Sequence, residues 1–142
     1  MGDVAHLNET ASQELLDSPM FASWVQALGL RVTRSIPGEM VLSLPVSTGQ
    51  VHGGGVVCGQ ALMAAADTAM VLVISAKLGG FRPMTTVQLQ TSFLRPVGGQ
   101  DREAIVTARV LRLGKNLVFG EIEIHDQQAR LAAHATTTYA LL

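Results

Sequence analysis

Val56 to Leu78 reads VVCGQALMAAADTAMVLVISAKL, a run that is apolar on nearly every face and broken by one carboxylate, Asp67. Ala, Leu and Met favour helix, so most of the run is expected to form one helix. A helix apolar all round must be buried, in a bilayer or inside a protein that covers it on several sides. Asp67 near its middle argues against the bilayer, where a carboxylate costs about 2.5–3.5 kcal/mol even on a lenient insertion scale. A core helix and no membrane is the expectation. Its small residues Ala64, Ala65, Ala66 and Ala69 let a curved sheet or another backbone come close. Before it, Gly53, Gly54 and Gly55 suit a turn, and Gly59 suits a helix N-terminus whose N–H groups stay open to a ligand.

Upstream, residues 1–17 are polar and read as a loose arm. Ser18-Pro19 reads as an N-cap and first helical position, opening a short helix through Phe21, Trp24, Val25 and Leu28 that Gly29 ends. Leu30 to Ser35 and Met40 to Val46 flank a Pro37-Gly38 turn and read as a hairpin. Downstream of Gly79-Gly80 the chain turns to strands: Thr85 to Leu94, alternating Val87, Leu89, Thr91 and Phe93, then Glu103 to Leu113, Leu117 to His125 and Arg130 to Leu142. Two strands, a long buried helix and then an antiparallel meander make an α+β plan in which a curved sheet wraps the helix, the hotdog architecture, over residues 18–142 as one domain.

Composition narrows the function. The 142 residues are 48% hydrophobic and 15% charged, enough for a core and too apolar for disorder. The net charge is -1 with Lys and Arg scattered singly, so no basic stripe is present to hold a phosphate backbone, and nucleic acid is not expected as a partner. One cysteine forms no internal disulfide and Met1 to Ser18 lacks an export pattern, which points to a reducing cytoplasm. His6 stands where a myristoylation signal wants Ser or Thr. His125 and His134 lack ligand-like spacing, so no metal is expected.

From Gly55, the run G-V-V-C-G-Q-A-L-M-A-A-A-D-T-A-M resembles the motif of the PaaI-like thioesterases of the hotdog superfamily, in which G-x-x-H-G-G leads into a helix and an Asp follows nine positions after the His. Setting Asp67 on that Asp places Cys58 at the His, Gly59 and Gln60 on the two motif glycines, and His52 where the family commonly carries Asn. His52-Gly53-Gly54 imitates H-G-G, but that register puts Ala61 at the acidic position and leaves no carboxylate. T-V-Q-L-Q-T-S-F-L-R-P from Thr86 and R-L-G-K-N-L-V-F from Arg112 are similar to the family's third strand and its G-K turn.

The resemblance implies an acyl-coenzyme A thioesterase with no further cofactor. A thioester needs its carbonyl polarised by a preorganised donor, for which the Gly59 N–H at a helix N-terminus is the candidate. It also needs water activated, or its carbonyl attacked, by a poorly solvated carboxylate, and Asp67 is the only acidic residue between Glu39 and Asp101. Thr86 matches a position that helps hold the water, His52 and Gln60 join the catalytic set, and Arg95, Arg112 and Lys115 are candidates for the coenzyme A phosphates. Gly59 and Asp67 are eight residues apart, about 12 Å of rise on one helix, too far for one thioester. In the family two subunits share each site, so a homodimer or dimer of dimers is expected, with His52 and Gly59 facing the partner copy of Asp67 and Thr86. Two other readings stay open: a hydratase or dehydratase using His52 and Asp67, and a non-catalytic hotdog that binds acyl-coenzyme A.

Overall fold

The computed structural model describes residues 5–142; the first four residues of the expected arm, and with them the Met-Gly start, lie outside the described residues. Helix α3 (Gly59–Leu78) occupies nearly all of the run quoted at the outset. Gly79 ends it at φ +83°, a left-handed conformation that a residue with a Cβ enters at a cost of about 1–2 kcal/mol. The N–H groups of Gly79 and Gly80 then close the last turn onto the carbonyls of Ala76 and Ser75. The helix is long and apolar enough to cross a membrane by length and composition, yet 67% of its most apolar window is buried within the chain.

What buries it is one six-stranded sheet: β1 (Arg31–Ile36), β2 (Glu39–Pro45), β3 (Met84–Phe93), β4 (Glu103–Leu113), β5 (Leu117–His125) and β6 (Leu131–Leu141). Every neighbouring pair is antiparallel and the order is β1-β2-β4-β5-β6-β3, so the expected meander holds for β4, β5 and β6 but not for β3, which crosses over to lie beside β6. Alternate residues point at α3, among them Leu42 and Leu44, Val106 and Ala108, Ile122 and Ile124. Contact is close at Gly120, where a Cβ would overlap Met70 Cε and lie 2.8 Å from the Arg109 carbonyl oxygen. The α+β hotdog arrangement expected from the sequence is thus the fold of the chain.

Three local expectations need correction. Residues 9–16, expected in a loose arm, form α1 (Glu9–Leu16), capped by Asn8, whose side chain accepts from the Ala11 N–H at 2.9 Å. Leu16 and Ser12 are buried, Gln13 Oε1 accepts from the Val32 N–H at 2.7 Å, and Glu9 Oε2 accepts from the Ser35 N–H at 2.8 Å. Ser18 caps no helix. Its hydroxyl donates to the Leu15 carbonyl at the end of α1, and the following helix α2 spans only Ser23–Gln26. The alternation in β3 sets Leu89 against the core but not its other two apolar side chains: Val87 and Phe93 are 59% and 50% exposed. Among the described residues this strand pairs with β6 alone, and its register shifts between Thr86 and Gln88, with Val87 at the irregularity.

Candidate functional site

At the start of α3 the N-cap position falls to Cys58, which offers no side-chain cap. The Cys58 N–H is held by the Gln50 carbonyl at 2.8 Å, and the Cys58 carbonyl accepts from Ala61 and Leu62. Among the described residues no backbone carbonyl takes the N–H of Gly59 or Gln60, as the first turn of a helix requires. The Phe93 ring lies over Gly59 so closely that a Cβ would sit 3.2 Å from its Cζ. Beside them is a cleft of about 450 Å³ lined by His52, Val57, Gly59, Leu62, Phe93 and Arg95 among others. His52 is exposed on the preceding loop, whose shape is set by His52 N–H donating to Val56 and Gly55 N–H donating back to His52. Gln60 is exposed and does not line this cleft.

Two turns further along α3, Asp67 is half-buried and turned toward the sheet. In the β3–β6 ladder Thr86 stands opposite Tyr139, and both side chains reach the helix. The Thr86 hydroxyl donates to Asp67 Oδ1 at 2.9 Å. The Tyr139 hydroxyl reaches the same Oδ1 and also lies 2.9 Å from the Asp67 carbonyl oxygen. Burial, and after it the Asp67 charge, raises the Tyr139 phenol above the ordinary tyrosine range, so it stays protonated and acts as a donor. Sequence reasoning places Asp67 and Thr86 together on one chain, as they are found, and misses Tyr139. The available signal was that this sole tyrosine falls at an inward position of the last strand, in step with Ala133, Ala135 and Thr137, where a buried hydroxyl must find an acceptor.

The cations do not converge within one chain. Arg95 borders the cleft at Gly59, and its Nε donates to the Leu131 carbonyl at 3.3 Å. Arg112 and Lys115 border a different cleft of about 310 Å³ at the β4–β5 turn, with Asn116 and Phe119. A larger depression, about 630 Å³, lies by Arg102, Ile105, His125 and Gln127 and includes none of the expected site residues. Among the described residues no three His, Cys, Asp or Glu side chains are grouped closely enough to hold a metal ion. One chain therefore holds two separate groupings: a helix start with His52, Gly59 and Arg95 about one cleft, and the Asp67 carboxylate with two hydroxyl donors.

The family model described as the thioesterase superfamily matches residues 49–133, which run from the loop before α3 into β6. A proposed esterase of Thermoplasma acidophilum is 26% identical over 102 residues, covering 72% of this chain and 75% of the relative. Among solved structures, the PaaI protein of the Escherichia coli phenylacetic acid degradation operon superposes with a TM-score of 0.81 at 21% identity, covering 94% of this chain and 95% of its own. A protein of Streptococcus pneumoniae described as a hypothetical thioesterase and solved with coenzyme A gives a TM-score of 0.73 at 19% identity, covering 80% and 85%.

Proposed function

The chain belongs to the thioesterase superfamily, and from that premise we propose that it hydrolyses an acyl-coenzyme A thioester to the free acid and coenzyme A. The observation that carries the reading is the Asp67 carboxylate, set on a buried helix with two hydroxyls on Oδ1 and placed eight residues from an N-terminus with unused N–H groups. The Gly59 N–H polarises the thioester carbonyl, with His52 and Gln60 beside it, and Asp67 activates water or attacks, with Thr86 fixing the carboxylate.

The two groupings meet between subunits in this proposal. Gln60, Met63, Ala64, Asp67 and Val71 follow one face of α3 and are exposed or only half-buried in the single chain. The neighbouring β3 has a free edge and exposes Val87 and Phe93. A second copy laid on this face brings its Asp67 toward the first copy's Gly59 and covers both features. The coenzyme A bound by the pneumococcal relative supports the substrate class. Arg95 is then the cation nearest the reacting end, and Arg112 and Lys115 serve the same ligand only if assembly brings their cleft alongside. A coenzyme A ester and the free thiol of Cys58 both suit a reducing cytoplasm.

Free thiol released from a panel of acyl-coenzyme A esters tests the activity. Asp67→Asn keeps the shape and loses the base, so turnover should fall by about a hundredfold or more with the fold intact. Near-normal hydrolysis by folded Asp67→Asn would sink the assignment.

A further inference from the structure

Resting on that reading of Asp67, we infer that Tyr139 is a positioning residue that pins Asp67 through Oδ1 and leaves Oδ2 as the oxygen that does the chemistry. A free carboxylate has two equivalent oxygens and rotates between them. Here Oδ1 receives both the Thr86 and the Tyr139 hydroxyl, while no described residue donates to Oδ2. Two donors arriving from adjacent strands fix the carboxylate plane as well as one of its ends. Tyr139 is itself packed on all sides, being 1% exposed in the β5–β6–β3 ladder between Val118 and Thr86. Thr86 lies on the exposed edge strand, so Tyr139 is the more rigid of the two anchors.

The assignment defines the proton's route. Oδ2 takes one proton from water as the water oxygen bonds to the thioester carbonyl carbon. The carbon–sulfur bond then breaks, and the departing thiolate receives that proton from the Asp67 carboxylic acid. Acid and thiol leave, and the carboxylate is restored. Tyr139 gives up no proton at any stage. Among the described residues Asp67 is the charged group that acts on it, from α3, and its cross-strand partners, Thr86 and Val118, carry no titratable group.

Tyr139→Phe removes the hydroxyl and keeps the buried ring. Loss of a hydrogen bond to a charged group predicts a fall in kcat of about tenfold or more, with KM within about twofold. On the Asp67→Asn background the same substitution should cost nothing further, because the group it positions is gone. An unchanged kcat in folded Tyr139→Phe, with Asp67→Asn inactive, would overturn the inference while sparing the Asp67 reading; an active Asp67→Asn would remove that reading instead. A second measurement needs neither turnover nor the Phe variant. Tyr139 is the chain's one tyrosine, so tyrosinate absorbance, or the fluorine resonance of incorporated 3-fluorotyrosine, reports on it alone. In Asp67→Asn the adjacent charge is lost and Tyr139 should ionise at lower pH than in the wild type. Identical titrations would mean that Tyr139 does not bear on the carboxylate.

Discussion

Ala129 is the one non-glycine residue with positive φ among the described residues, at +63° in the turn that joins β5 to β6. The turn is otherwise well held: Asp126 Oδ1 accepts from the N–H groups of Gln128 and Arg130, and Arg130 Nε reaches Asp126 Oδ2 at 2.8 Å. Ala129 is exposed, so its methyl group contributes no packing to set against the conformational cost. Ala129→Gly should therefore stabilise the protein by about 0.5–1 kcal/mol, the relief of the left-handed strain outweighing the added freedom of the unfolded chain. Urea denaturation measures this, and thioester hydrolysis should not change. At the same scale, legibility depends on whether a residue's partner is near in sequence. Asp67 could be picked out because nothing acidic surrounds it in a long apolar run. Tyr139 could not be paired with it, since the hydroxyl finds its acceptor across 72 positions of chain. Arg95 and Arg112 look alike in sequence, and only folding assigns them to separate clefts.

Elements were legible where an apolar pattern or a turn residue marked them. β4 and β5 begin and end where their patterns do, and α3 stops at the Gly79-Gly80 pair. α1 was not legible, because only eight residues form it and much of its hold on the protein is polar. Glu9 and Gln13 accept the outward N–H groups of β1, contacts that an isolated polar segment gives no hint of. The seat of α3 on the sheet leads to a prediction at this scale. Gly120→Ala puts a methyl into space held by Met70 and by the Arg109 carbonyl, and the latter is backbone that cannot swing aside. A loss of about 1–3 kcal/mol is expected, seen as a lower midpoint in thermal or urea unfolding. An unshifted midpoint would mean that helix and strand are less tightly apposed than this.

At the scale of the molecule, the sheet order was the part least available from sequence, because the placement of β3 beside β6 depends on a crossover that no local pattern encodes. The shared-site proposal is tested here by mixing lesions. Gly59→Pro removes the donor N–H at a helix position where proline is tolerated, though the half-exposed Phe93 ring must yield slightly to admit it. Asp67→Asn removes the carboxylate. Each homodimer should be inactive, while random co-refolding gives half heterodimers, each with one intact site of two, and so about one quarter of wild-type activity. Absence of recovery from heterodimers verified by sizing would mean that each site is built within one chain. The two margins of the sheet also differ. Along β1, Glu9 and Gln13 occupy hydrogen-bonding groups that another strand would need, whereas among the described residues no strand pairs with the outer edge of β3. A chain with one usable margin can join one other chain and then has none left, so strand-to-strand growth terminates at a pair. The same sheet with both margins open would be a monomer unit for fibres. Displacing α1 from β1 should thus turn a self-limiting partnership into an open-ended one.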